Sequence, residues 1–246
     1  MLTQFLKQAA CGLLFLIIGA GTSSASAINL TPVRVTLSDS QKMGSITVSN
    51  RGAKPVIIQM NILGWSQREG EDVFTATRDI LANPPIFTIP AGGSQIVRVG
   101  LRRAIDTQRE LSYRMILEEL PPPPEPGLMG AQMSLRISVP VFILPEVTAR
   151  PVPLWQAIHT PQGGVKITMT NTGNAHIQIL NFQLLLPGST QSWVTKKTSD
   201  YVLPGQIFEW TLPANSEYPT PPPGTNIRLI AQTDVGDIEA EVIITP

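Results

Sequence analysis

Few side chains in this sequence could carry out a reaction, and their spacing argues against one. Only two histidines occur, His159 and His176, both in the second half. A His-x-x-x-His pair, a Gly-x-Ser-x-Gly elbow and a glycine-rich phosphate loop are all absent. Two separate histidines of this kind read as ordinary surface or core residues rather than metal ligands. The one tight carboxylate pair is Glu118–Glu119. Neighbours on a strand point to opposite faces, so the two make a poor acid–base couple. Trp65, Trp155, Trp193 and Trp210 are dispersed, which argues against the exposed aromatic platform of a carbohydrate-binding module. The expectation is a protein that is not an enzyme and that uses no metal and no cofactor. Charge adds little about partners. The chain carries 18 basic and 18 acidic side chains; residues 28–145 sum to +2 and residues 146–246 to −3. Neither half has the basic footprint of a nucleic-acid binder.

The residues that could act by shape lie between 129 and 141. Met129, Ala131, Met133, Leu135, Ile137, Val139 and Val141 form a period-2 apolar row. A strand of that length spans roughly 40 Å. From Ile137 onward such a row suits the core of its own sheet. The earlier part follows a proline-rich loop and is rich in Met and Ala, and methionine adapts to varied pockets.

The elements that must position this row are strands. Short β-branched runs alternate with polar residues, as in SITVS from Ser45, VIIQMNI from Val56, IVRVGL from Ile96, VKITMT from Val165 and IRLIAQT from Ile227. The 23 prolines are spread so that few helices could survive, and the class expected is all-β. An internal echo sets the domain count. ITVSNRGAKPVIIQ from Ile46 matches ITMTNTGNAHIQIL from Ile167, and IPAGGSQIVRV from Ile89 matches VLPGQIFEW from Val202. Two immunoglobulin-like β-sandwiches fit this spacing. PEVTARPVP, from Pro145 to Pro153, suits a stiff connector. The expected domains are residues 28–147 and 148–246. Ahead of them, Lys7, the apolar run Gly12–Ile18 and Ala25-Ser26-Ala27 have the layout of a secretory signal peptide cleaved after Ala27. The apolar run is too short to span a bilayer. The only cysteine, Cys11, would leave with that segment, so the exported chain would form no disulfide.

Five stretches together resemble the periplasmic chaperones of the chaperone–usher pathway, most closely the archaic branch. They are INLTPVRVTLS from Ile28, ITVSNRGAKPVIIQ from Ile46, NPPIFTIPAGGSQIVRV from Asn83, YRMILEELP from Tyr113 and MSLRISVPVFILP from Met133. They cover most of the first domain in order; the second domain is similar only in a general way.

The resemblance implies a boomerang of two such sandwiches in the periplasm that binds, folds and delivers pilus or fimbrial subunits to an outer-membrane usher, without ATP. It implies that a strand holding Met129, Ala131, Met133, Leu135 and Ile137 is donated to a subunit's groove by β-augmentation. Left unpaired, that row would be an aggregation hazard, so self-association of the free chain is a further expectation. In the family two basic residues hold the subunit's C-terminal carboxylate. Arg34 matches the first. The second position holds Pro140, which has no charge and no N–H, so Arg114 and Arg136 become the candidates. Glu119 and Asp234 match the acidic partners of the family's interdomain contact, but the arginine expected between them is Leu144. The expectation is that apolar packing replaces the ionic hinge. The alternative is a structural or adhesive immunoglobulin-like surface protein or pilus component. That reading predicts one incomplete, often disulfide-bonded domain.

Overall fold

A computed structural model describes residues 28–121, 134–214 and 219–246. The expected signal peptide, the start of the donor row (Met129, Ala131 and Met133) and most of the proline-rich loop before it lie outside these residues. The described residues form seventeen strands and no helix, as the scattered prolines and short alternating runs predict.

The first ten strands build one sandwich. One sheet holds β1 (Ile28–Thr31), β3 (Met43–Asn50), β8 (Ser94–Leu101) and β6 (Ile80–Asn83) in that order. The other holds β2 (Val35–Leu37), β10 (Arg136–Ile143), β9 (Leu111–Leu120), β4 (Val56–Arg68) and β5 (Glu71–Ala76), with β7 (Ile86–Ile89) also paired to β4. The chain changes sheets between β1 and β2, across the Thr31–Pro32 cis peptide bond. Inward residues of both sheets make one core, including Val35, Leu37, Ile46, Val48, Ile58, Met60, Val97, Val99, Met115, Leu117, Val139 and Val141.

The last seven strands form a second unit. β14 (Ser192–Val202), β13 (Ile177–Leu185), β16 (Asn226–Thr233), β17 (Gly236–Thr245), β11 (Pro153–His159), β12 (Val165–Asn171) and β15 (Ile207–Leu212) follow one another as neighbours. A short parallel contact of β11 with the end of β17 joins the two halves of this sheet. Its core is separate and includes Ile167, Met169, Phe182, Trp210, Ile227, Leu229 and Ile244. Trp155 and Trp210 stack there at 5.9 Å, and Trp193 packs against the same core. Three of the four tryptophans therefore serve packing and form no exposed platform.

The sequence echo has a physical basis. Asn50 and Asn171 are both fully buried at the ends of matching strands. The Asn50 amide donates to the carbonyls of Lys54, Ile89 and Pro90, and its Oδ1 accepts from Gly52 N–H. The Asn171 amide donates to Ala175 and Val202 carbonyls, and its Oδ1 accepts from Gly173 N–H. The Asn50 backbone N–H donates to Gly93, and that of Asn171 to Gln206. Each asparagine thus clamps its own turn to the proline-containing turn of a distant strand. Removing either would orphan several buried backbone groups.

Candidate functional site

The candidate site is the outer face and open edge of the sheet carrying β10, where it meets the second sandwich. Pairing fixes which atoms point where. Glu119 N–H donates to Leu135 C=O at 2.9 Å, and Arg136 lies opposite Glu118. In an antiparallel ladder hydrogen-bonded and non-hydrogen-bonded pairs alternate. The backbone groups of residues 135, 137, 139, 141 and 143 therefore point at β9. Those of Arg136, Ser138, Pro140 and Phe142 point away from it. On that far side β2 pairs only with Val141–Ile143, and Leu144 N–H donates to Leu37. Among the described residues the edge is unpaired at Arg136 and Ser138; the Pro140 carbonyl is already taken by Val35 of β2, where the register with Val141 begins. Pro140 lacks its N–H where β9 does not need it, so it interrupts the open edge and not the sheet.

Side chains follow the same alternation. Ile137 is half-buried against its own core, with Val139 and Val141 beyond it. Leu135, just before the strand, is also half-buried. Arg136, Ser138, Pro140 and Phe142 take the outer face, together with Arg114 and Glu118 of β9.

The three candidate arginines are in different states. Arg136 is exposed and pairs with Glu118 across the ladder at 3.0 Å; exposed pairs of this kind contribute little. Arg34, between β1 and β2, reaches the second sandwich, where its Nη1 lies 2.6 Å from Asp234 Oδ2. Arg114 has no carboxylate within ion-pair distance among the described residues. Its guanidinium lies 3.7 Å over the Trp65 ring and 5.1 Å from that of Tyr201. Its Nε is buried without a partner. Burial lowers its pKa from the ordinary guanidinium value, opposed by Asp72 and Tyr201. Asp72 Oδ1 accepts from both Trp65 Nε1 and Gln67 Nε2. A cavity of about 290 Å³ bordered by Arg114, Trp65, Asp72, Asp200 and Tyr201 opens beside this cation.

Asp234, from the turn after β16, meets Arg34 across the junction. Burial works to raise its pKa, but His176, the Gln178 amide and Arg34 together hold it down at about 2. Glu119 is not placed at the junction. It lies at the opposite end of β9, on the core side of that strand, with Oε2 buried and unpartnered. The carboxylate that this part of the chain presents to the second sandwich is Glu110, just before β9. The difference arises because the start of β9, not its end, faces the second sandwich.

The hinge is both ionic and apolar. Phe142, fully buried, joins Trp65, Leu203 and Tyr201 in a cluster drawn from both sandwiches. Its ring lies 5.9 Å from Trp65 and stacks on His176 at 3.5 Å. Gln67 at the end of β4 acts as an added backbone unit: its Nε2 donates to Tyr201 C=O at 2.8 Å and its Oε1 accepts from Leu203 N–H at 2.9 Å. Arg109 Nη2 donates to Pro204 C=O. The Asn-x-Gly turn of the second sandwich straps the connector. Thr172 and Asn174 amides donate to Val152 and Arg150 carbonyls, and Asn174 Nδ2 donates to Gln108 and Thr148. A β-carbon on Gly173 would stand 2.2 Å from Arg150 O, so only glycine fits.

Phe142, Trp65, Gln67, Glu110 and His176 were not singled out as site residues by sequence reasoning. The alternation of β4 does put Trp65 and Gln67 on one face, and Phe142 is out of phase with the core row. Both signals were available. Which outer-face residues meet the second sandwich depends on the junction itself, and no local pattern encodes that. Among the described residues no group of three or more His, Cys, Asp or Glu side chains could hold a metal.

Comparison with known proteins follows this geometry. Residues 27–149 match the family described as pili and flagellar-assembly chaperone, PapD N-terminal domain. No curated protein matches the chain at a significant level. Solved structures are similar in fold over nearly the whole chain. A chain of the CsuC–CsuE chaperone–tip adhesion subunit pre-assembly complex, from archaic chaperone-usher Csu pili of Acinetobacter baumannii, is 18% identical with a TM-score of 0.66, covering 90% of this chain and 100% of that one. The Escherichia coli chaperone DraB is 19% identical with a TM-score of 0.61, covering 88% and 97%. A chain of the Salmonella enterica SafA pilin–SafB chaperone complex is 17% identical with a TM-score of 0.59, covering 88% and 96%.

Proposed function

The chain belongs to the pili and flagellar-assembly chaperone family, and from that premise we propose that it captures pilus subunits by adding its β10 edge to their sheets. The observation that carries the reading is the unpaired edge at Arg136 and Ser138, lying near a half-buried cation, Arg114, that has no ion-pair partner among the described residues. Arg136 and Ser138 each offer an N–H and a carbonyl to an incoming strand. Leu135 and the row before it (Met129, Ala131 and Met133) would extend this donation into the subunit's groove. Ile137 stays mainly with its own core. Each large apolar side chain placed in such a groove contributes about 1.5–3 kcal/mol.

The subunit's C-terminal carboxylate anchors on Arg114 and Arg34. Arg114 has the stronger case, because a half-buried guanidinium with no ion-pair partner among the described residues gains most from a carboxylate that reaches it. Arg136 contributes least, since it is exposed and already paired. Asp234 holds Arg34 from the far side of the cleft, and Glu110 takes the junction role that Glu119 does not. Pro140 ends the docking edge, so an incoming strand stops short of β2.

Residues 28–147 form the capturing domain and residues 148–246 the C-terminal sandwich. The chain works in the periplasm after loss of residues 1–27, without catalysis and without ATP, and passes subunits to an outer-membrane usher. The free protein shields the donor row by self-association. The chaperones of known structure similar in fold support this reading, since two were solved with an adhesion subunit or a pilin. Co-expression with candidate subunits tests it. A 1:1 periplasmic complex lost in Arg114→Ala is expected. Subunits that accumulate equally well without the chain would refute it.

A further inference from the structure

His176 sits between two carboxylates and against an aromatic ring. It stacks on Phe142 at 3.5 Å with the planes 7° apart. Nδ1 lies 2.7 Å from Glu110 Oε1. A carboxylate oxygen accepts, so Nδ1 carries a proton. The His176 amide donates to the same oxygen at 3.1 Å, which fixes the carboxylate independently of the ring. On the other side Nε2 is buried and faces Asp234 Oδ2 at 3.4 Å, an ion-pair distance without a formed hydrogen bond. That oxygen is the one that receives Arg34 at 2.6 Å, while Asp234 Oδ1 accepts from the Gln178 amide.

The charged and titratable groups around the ring come from four places. Glu110 lies before β9 and Asp234 after β16. Arg34, between β1 and β2, stands behind Asp234. The Tyr201 ring of β14 lies 5.8 Å away, with Arg114 beyond it. A neutral ring protonated on Nδ1 would turn the Nε2 lone pair toward a carboxylate oxygen, which is repulsive. The imidazolium presents an N–H to each carboxylate. With it, the four groups Arg34, Asp234, His176 and Glu110 balance in charge; without it, they hold an uncompensated negative charge in a buried place.

We propose that His176 is a positioning residue for subunit capture: as imidazolium it is the reserve partner of Asp234 that frees Arg34 to bind the subunit's terminal carboxylate. This rests on the reading of Arg34 as an anchor and adds its regulation. When the carboxylate draws Arg34 away, Asp234 Oδ2 loses its closest partner. A movement of under about 1 Å then brings Nε2–H within hydrogen-bond range of that oxygen. If the ring is neutral, the same movement leaves Asp234 Oδ2 without a donor or a cation, with only Oδ1 held by the Gln178 amide, so Arg34 stays where it is. Above the free titration of His176 capture therefore takes up a proton, and it weakens as pH rises through that titration. Burial works to lower that titration, but Asp234 and Glu110 outweigh it and raise it above the ordinary imidazole value, which puts the loss on the alkaline side of about 6.5.

The test uses residues 28–246 carrying His159→Gln, so that His176 is the only imidazole. The probes are a synthetic peptide of alternating valine and threonine with a free C-terminal carboxylate, and its C-terminal amide. NMR follows the His176 ring while affinity is measured across pH. The expected result is a rise in the His176 pKa with the acid peptide but not the amide. Affinity for the acid peptide should fall by up to about tenfold per pH unit above the free titration, and His176→Gln should flatten that slope. An acid peptide that binds through Arg34 without moving the His176 titration would overturn the inference and leave the capture reading standing. So would a slope that persists in His176→Gln. The ring titration is read in protein that keeps His176, so a misfolded variant does not decide the outcome. If Arg34→Ala binds acid and amide peptides as the parent does, the Arg34 anchor fails and the inference with it.

Discussion

Phe142→Ala removes the ring that most directly ties the two sandwiches together. The side chain is fully buried, yet it belongs to neither core. Its contacts are Trp65 at 5.9 Å, Tyr201 at 5.9 Å and His176 at 3.5 Å, the last two from the second sandwich. Truncating a buried Phe costs about 3–5 kcal/mol through lost transfer energy and the cavity left behind. Because the neighbours span both units, most of that loss should appear as lost coupling between them. Urea unfolding read by tryptophan fluorescence separates the effects, since Trp65 reports the junction while Trp155 and Trp210 report the second core. With a slope near 2 kcal/mol/M, the midpoint seen by Trp65 should fall by about 1.5–2.5 M. The second-core signal should then unfold in a later, separate transition. Val141→Ala, the next residue along but pointing into the first core, should destabilise that domain. A loss under about 1 kcal/mol for Phe142→Ala, with all tryptophans still moving together, would refute the claim that this ring couples the domains.

Other outcomes follow from the same contacts. Ser138→Pro removes an N–H that faces the open edge and not β9, so subunit capture should weaken about fivefold while thermal stability changes little. Ile137→Pro, whose N–H faces β9, should destabilise the first sandwich itself, as a melting curve would show. Gly173→Ala drives a β-carbon to within 2.2 Å of Arg150 O and should lower Tm by loosening the connector. For acid stability the sign is set by Asp234, whose pKa is held at about 2 against a reference of 3.8. Its contribution is complete above about pH 4 and lost as pH falls through 2, so Asp234→Asn should flatten the acid limb of a pH–stability curve. His176 acts in the opposite sense. Its raised pKa gives a contribution present below the ordinary imidazole value and lost as pH rises through the folded value, which His176→Gln should remove.

The strands were legible because alternation is local: a residue's face is set by its neighbours two places away, as the buried and exposed pattern of Val56–Arg68 shows. The Asn-x-Gly echo was legible for the same reason, since Asn50 and Asn171 each clamp a turn of their own sandwich. The junction was harder to read. Resemblance points to Asp234 and Arg34, and the structure brings them to 2.6 Å. It points equally to Glu119, which lies at the far end of β9. His176 looked ordinary because a single histidine carries no spacing. Its meaning comes from Glu110 and Asp234, one before β9 and one after β16, and only the meeting of two domains assembles them. Leu144 in place of an arginine suggested an apolar hinge. The structure has one in Phe142, Trp65, Leu203 and Tyr201, and it also has an ionic contact, in which Asp234 meets Arg34.

The most direct measurement is amide hydrogen exchange on residues 28–246, free and bound to a pilus subunit. The account predicts that Ile137 and Val139 amides, which face β9, are protected in both states. The Arg136 and Ser138 amides, which face the open edge, should become protected only in the complex. A complex that forms while Arg136 and Ser138 exchange as they do in the free chain would contradict strand addition at β10.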